Sequence, residues 1–100
     1  MEDNLDKAVV ETVNRNFELK LRRRIIPESE FLEILSLAIA HLLNNNTQKL
    51  LSVLYRLDVD ENKFRQALLA EDSRQAAGNI AALVLAREKQ KLEFRRRYSS

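Results

Sequence analysis

The side chains of this sequence that are best suited to binding chemistry are two groups of arginines. The groups consist of Arg22, Arg23 and Arg24, and of Arg95, Arg96 and Arg97. Phe94 and Tyr98 flank the second group, and guanidinium groups beside aromatic rings are typical of proteins that bind phosphates and stack on bases. Cations also stabilise helix C-termini, so solvated helix ends give the same pattern. We favour solvated helix ends and keep nucleic-acid binding through these six arginines as the alternative.

The residues that usually bind metals or catalyse reactions are scarce. The 100-residue chain contains one histidine, His41, one glycine, Gly78, and no cysteine. A structural zinc site needs several His or Cys ligands, and a phosphate-binding loop needs several glycines. A single histidine late in a helix is usually a surface residue. We therefore expect no metal, no cofactor and no catalytic residue, so that the protein is not an enzyme.

Three oxygen-bearing residues match the start of a calcium-binding loop. Asp58, Asp60 and Asn62 occupy the spacing of its first three ligands. The position that needs a glycine is Lys63, and the position that needs a bidentate glutamate is Leu69. Capping of a helix by Asp60 explains the acids, so we predict a cap and no calcium site.

Tyr55 and Arg56, close to Asp58, fit two interpretations. Tyrosine and arginine are common anchors of protein interfaces. A structural ion pair or a buried hydroxyl at a helix junction produces the same residues. We favour the structural interpretation and keep the interface as the alternative.

Helices must position these side chains, because the residues that shape sheets and loops are almost absent. The chain has one glycine and one proline, and 45% of its residues are hydrophobic. This composition predicts an all-α fold. We expect a single-domain irregular bundle of about five helices over residues 1–98, with a long C-terminal helix and a disordered tail at residues 99–100.

The first helix has an ambiguous end. A four-residue apolar repeat predicts a helix that begins near Asn4 or earlier, and its members are Leu5, Val9, Val13 and Phe17. Residues 17–25 alternate apolar and polar side chains, as a strand does. Two acid–base pairs at i,i+4 favour a helix, as does the absence of a second candidate strand. The helix is therefore predicted to reach about residue 21 or 24.

The next three helices have clearer boundaries. Pro27 suits the first turn of a second helix, which is apolar nearly all round over residues 31–43 and is predicted to be the centre of the fold. The asparagines at 44–46 end this helix and cap a third. Asp60, with Val59 before it and Phe64 after it, predicts a fourth helix over residues 61–69.

The fifth helix is predicted over residues 73–96, with Asp72 or Ser73 as its cap. It has two apolar faces, so it must be central or shared with another copy of the chain. Small residues on one face leave room for the backbone of another helix. Because a free apolar face would be a large exposed patch, we predict a homodimer interface. The predicted interface residues are Gly78, Ala82, Leu85 and Leu92.

The charges of the chain are nearly balanced, with 17 basic and 15 acidic residues and a net charge of +2. This balance argues against general electrostatic binding of nucleic acid. The most apolar stretch, residues 31–43, is too short to cross a membrane, and the acidic N-terminus is unlike a signal peptide. We expect a cytoplasmic protein with no membrane partner.

Residues 31–98 resemble a group of small, uncharacterised helical bacterial proteins. The resemblance rests on Asn45, Lys49, Leu50 and Leu51, and on the stretches at residues 54–59 and 83–87. It implies a bacterial, cytoplasmic origin and no particular activity.

The sequence therefore predicts a small, non-enzymatic helical interaction module that binds itself or another protein. A nucleic-acid-binding protein is the alternative. An enzyme is the third interpretation, and it would require a concave pocket lined by polar groups around His41 or Tyr55.

Overall fold

The computed structural model describes residues 3–98, and within them the regular structure is helical, with no strand longer than an isolated bridge. The helices are α1 (Lys7–Phe17), α2 (Glu28–Asn45), α3 (Thr47–Arg56), α4 (Glu61–Ala67) and α5 (Ser73–Tyr98). Buried apolar side chains from all five form one cluster, and the radius of gyration is 13.3 Å. The predicted all-α bundle with a long C-terminal helix is confirmed. The predicted tail at residues 99–100 lies outside the described residues.

The helix α1 is shorter than predicted at both ends. Asp6 caps its start, and a carboxylate oxygen of Asp6 accepts a hydrogen bond of 2.8 Å from the amide of Ala8. At the other end, Glu18 adopts the left-handed conformation with φ 54°, which stops the helix at Phe17. The predicted continuation to residue 21 or 24 is wrong, because the amide of Leu19 donates back to the carbonyl of Asn14 at 3.0 Å and closes the helix around the left-handed Glu18. The Glu18 carboxylate forms a salt bridge with Lys49 of α3, at 2.8 Å.

Residues 18–27 are instead an extended connection held against α1. Asn14 donates a hydrogen bond of 2.9 Å to the carbonyl of Leu21 and accepts one of 3.0 Å from its amide. Lys20 also has a positive φ, of 59°. Further along, the amide of Leu5 donates to the carbonyl of Ile26 at 3.0 Å. The alternation of apolar and polar residues in this segment was the correct signal for extended backbone, although we predicted a helix from the acid–base pairs.

The predicted junctions between the inner helices are confirmed. The amide of Asn46 donates to the carbonyl of Leu42 at 2.8 Å, and its side chain accepts a hydrogen bond of 3.1 Å from the amide of Lys49. Asp60 accepts hydrogen bonds of 2.8 and 3.1 Å from two amides of the first turn of α4. This cap confirms the structural interpretation of Asp60. The helix α4 ends at Ala67, two residues earlier than predicted.

The helices α2 and α5 form the centre of the fold together, because they pack on each other more extensively than any other pair of helices. The prediction that α2 is central is therefore confirmed in part, since α5 shares the centre with it. Main contacts join α5 to α1, α2 and α4. The buried residues of α2 form a single stripe, which consists of Phe31, Leu35 and Ile39. Leu37, another apolar residue of the same helix, is 69% exposed.

Both apolar faces of α5 are largely covered by its own chain, although Ala82 and, at the C-terminal end, Phe94 and Tyr98 are exposed. Its buried residues are Ala76, Ala77, Ile80, Ala81, Val84, Leu85 and Glu88.

Candidate interaction surface

The strip of small residues predicted as a dimer interface on α5 is largely covered by the chain itself. A Cβ atom on Gly78 would lie 4.0 Å from the hydroxyl oxygen of Ser36, so α2 faces this glycine. Leu85 is 2% exposed, and Leu92 is partly buried against the core. Ala82 is exposed. Leu85 is therefore a core residue, and Ala82 is the one member of the predicted set that is fully accessible.

Large apolar side chains are exposed instead between α3 and α4. Leu51 and Tyr55 lie one turn apart on α3, and Tyr55 is 89% exposed. With the buried Phe64 of α4 they line a groove of about 700 Å³. Among the described residues, no lysine or arginine lines this groove. We call it the acidic groove, because its lining also includes Asp58, Asp60 and Glu61.

A second exposed apolar feature lies at the C-terminal end of α5. The rings of Phe94 and Tyr98 are exposed and in contact, with centroids 4.6 Å apart and planes inclined at 40°. Phe94 lines a cavity of about 470 Å³ with three cations and, within residues 3–98, no carboxylate. We call this surface the basic stripe, and its residues are Arg87, Lys91, Phe94, Arg95 and Tyr98.

The acidic groove and the basic stripe belong to one continuous face. A cavity of about 620 Å³ lies between them and shares Asp58 with the groove and Arg87 with the stripe. A carboxylate oxygen of Asp58 accepts a hydrogen bond of 2.7 Å from Arg87 Nη2, and the carbonyl of Asp58 accepts one of 2.9 Å from Nε. This salt bridge joins an acidic apolar end of the face to a basic aromatic end.

Tyr55 does not take the structural role that we favoured from the sequence. Its hydroxyl is not buried, because the residue is almost fully exposed. Arg56 forms no salt bridge within residues 3–98, and Asp58 pairs with Arg87 instead. The interface interpretation of Tyr55 therefore remains. Leu51, which the sequence reasoning overlooked, adds to the same surface one turn earlier.

Four of the six arginines in the two sequence clusters pair with carboxylates of their own chain. The pairs are Arg23 with Glu30, Arg24 with Glu11, Arg96 with Asp6, and Arg97 with Glu93. Arg22 and Arg95 form no salt bridge within the described part of the chain. Glu11 lies on α1 and Asp6 caps it, so both clusters approach the same helix. Most of the charge that nucleic-acid binding would use is already compensated.

Two carboxylates at the ends of α1 are stabilised in their ionised form. The hydrogen bond from the Ala8 amide, and then the nearby Arg96 guanidinium, hold the pKa of Asp6 below its usual value. The ammonium of Lys49, which donates a hydrogen bond of 2.8 Å to Glu18, lowers the pKa of Glu18. Both carboxylates therefore favour the folded chain when they are charged.

The remaining candidate residues lie apart from this face. His41 is exposed late in α2, and its ring nitrogen Nδ1 lies 3.3 Å from the side-chain nitrogen of Asn45. No group of three His, Asp or Glu residues within residues 3–98 is arranged to hold a metal ion. In the same range, no helix has both the length and the apolarity to cross a membrane.

No family model, curated protein or solved structure matches this sequence. The resemblance to bacterial helical proteins and the cytoplasmic location therefore stay predictions.

Proposed function

We propose that this protein is a self-associating interaction module, in which two copies pair through the face that joins the acidic groove to the basic stripe. One observation carries the proposal. The groove is lined by three carboxylates and no cation, and the cavity at the stripe by three cations and no carboxylate, among residues 3–98. Salt bridges within the chain already join Asp58 to Arg87, Glu61 to Arg65 and Lys91 to Glu88, so Asp60 and Arg95 are the lining charges without such a bridge in the described residues. Complementary potentials of this kind guide protein partners into register.

A face with complementary ends can pair with itself about a twofold axis. When the second copy is rotated by 180°, its basic stripe meets the groove of the first copy, and the reverse contact forms at the same time. Tyr55 of each copy then meets the Phe94 and Tyr98 rings of the other. These rings are exposed in the single chain, so pairing removes them from water and supplies most of the favourable free energy.

The experiment is sedimentation velocity on the full chain over a range of micromolar concentrations. We expect a monomer–dimer equilibrium that the substitution Tyr55→Ala weakens by about 30-fold, since truncation of an interface anchor costs about 2 kcal/mol. The matched control is Leu37→Ala, which truncates a residue of α2 that is 69% exposed and lies off this face. We expect that control to dimerise as the unmodified chain does.

The charges give a second signature of the same contact. Dimerisation should weaken as the salt concentration rises from about 0.05 to 0.5 M, because salt screens the attraction between exposed groups. If the chain stays monomeric at all concentrations, self-association is contradicted, and a different protein would then be the partner of this face. Equal effects of Tyr55→Ala and Leu37→Ala contradict the assignment of the face.

Nucleic-acid binding is the second candidate function. It is favoured by the position of Arg95, which has no salt bridge within the described residues and lies beside the exposed Phe94 ring. Retention on immobilised DNA that decreases with salt, and that is lost when residues 95–97 become alanine, would support it. The absence of salt-dependent retention would eliminate it.

A further inference from the structure

A second groove, beside the basic stripe on α5, also collects positive charge, and it shares Lys91 and Arg95 with the stripe. It lies between the C-terminal ends of α1 and α3 and the C-terminal half of α5, and its volume is about 540 Å³. Its lining residues come from three regions far apart in the sequence, so only the folded chain assembles it. The cations that line it are Arg15, Arg56, Lys91 and Arg95.

Three of these four cations form no salt bridge within residues 3–98. Within residues 3–98, five arginines form no salt bridge, and three of the five are Arg15, Arg56 and Arg95 in this one groove. Exposed arginines elsewhere on the surface mostly face a carboxylate. Three guanidinium groups that form no salt bridge therefore lie in a single concave site, and such a cluster favours the binding of an anion.

The two carboxylates of the groove already have other partners. Glu18 accepts a hydrogen bond of 2.8 Å from Lys49, which lies outside the lining, and its charge interacts more weakly with that of Arg56. Glu88, which is buried, pairs with Lys91, and Lys91 also donates a hydrogen bond of 2.8 Å to the carbonyl of Leu57. Four cations and two carboxylates leave the groove with a formal charge of +2.

We propose that this groove binds a phosphate group through Arg15, Arg56 and Arg95. Guanidinium groups match phosphate oxygens in a bidentate geometry, and a phosphate monoester or pyrophosphate carries the two or more negative charges that the groove lacks. The volume lies within the usual range for sites of small ligands. The half-buried Thr12 hydroxyl in the lining provides a neutral polar group for a further hydrogen bond. This proposal does not rest on self-association, but the two contacts share Lys91 and Arg95, so a bound anion and a second copy would compete for these cations.

The test is calorimetric titration of the full chain with inorganic pyrophosphate at about 20 mM salt, where exposed charges are weakly screened. The substitution Arg56→Gln removes one guanidinium and keeps a long polar side chain. It should weaken binding by about 10-fold or more, because a hydrogen bond to a charged group is lost. The matched control is Arg74→Gln, an exposed arginine without a salt bridge in the described residues, about 30 Å along α5 from Arg95. That control should stay within about twofold of the unmodified chain.

A second titration uses a single-stranded oligonucleotide of about eight nucleotides and separates two sources of the phosphate group. Tighter binding of the oligonucleotide, with the same loss in Arg56→Gln, assigns the groove to a nucleic-acid backbone. Preference for pyrophosphate assigns it to a small phosphorylated molecule. If neither anion binds, or if Arg74→Gln weakens binding as much as Arg56→Gln, the proposal is refuted.

Discussion

Two hydrogen bonds between Asn14 and Leu21, which we call the clamp, hold the connection from α1 to α2 against α1. The substitution Asn14→Ala removes two hydrogen bonds, of 2.9 and 3.0 Å, that hold residues 18–27 against α1. Each is worth about 1 kcal/mol of folding free energy. Alanine favours a helix more than asparagine by about 0.5 kcal/mol, which offsets part of the loss. We therefore expect a net destabilisation of about 1.5 kcal/mol.

The matched control is Asn16→Ala in the same helix. Asn16 donates one hydrogen bond of 2.8 Å to the carbonyl of Thr12, within α1, and holds no distant segment. Its loss is offset by the same gain in helix propensity, so the stability should stay within about 0.5 kcal/mol of the unmodified chain.

Urea denaturation followed by circular dichroism measures both free energies, and thermal unfolding should show a decrease in Tm of about 6–12 °C for Asn14→Ala. Equal stabilities of the two variants would refute the role assigned to the clamp.

Two further outcomes follow from the ends of α1. Lys20 adopts a φ of 59°, which glycine tolerates without strain, so Lys20→Gly should stabilise the chain by about 1 kcal/mol in the same urea assay; a destabilisation would contradict the left-handed conformation. The pKa values of Asp6 and Glu18 are lower in the folded chain, so their stabilisation is present above about pH 4 and is lost as the pH falls through the lowered values. The Tm of the unmodified chain should therefore decrease more steeply below pH 5 than that of Asp6→Asn with Glu18→Gln, and parallel profiles would contradict the assigned pairings.

Local signals in the sequence predict most of the fold. The caps at Asn46 and Asp60 follow from side chains that accept hydrogen bonds from nearby amides, and both are present in the structure. The prediction for the connection after Phe17 was wrong because its structure depends on contacts with residues that are distant in the sequence. Its extended form depends on Asn14, seven residues before Leu21, and on a salt bridge from Glu18 to another helix, and neither contact has a local sequence signature.

The candidate surface was less predictable, because exposure depends on how helices pack. The two apolar faces of α5 were correctly identified, but whether another helix or another copy covers them depends on the position of α2. Leu51 and Tyr55 are spaced at i,i+4 and lie outside the buried stripe of α3, which contains Leu50, Val53 and Leu54. The position of these two residues outside the buried stripe was the sequence signal for an exposed apolar pair. The meeting of Arg15, Arg56 and Arg95 had no sequence signal at all, since about forty residues separate each from the next.

The most direct test of self-association uses the absence of cysteine from the chain. One variant carries Asn62→Cys at the acidic groove, and a second carries Arg97→Cys beside Phe94 on α5. The two are purified separately, mixed in equal amounts and oxidised. Reciprocal pairing of groove and stripe predicts that the disulfide between the two different variants predominates, and that each variant alone forms little covalent dimer. Covalent dimers of each variant with itself in equal or greater yield would contradict the proposed pairing.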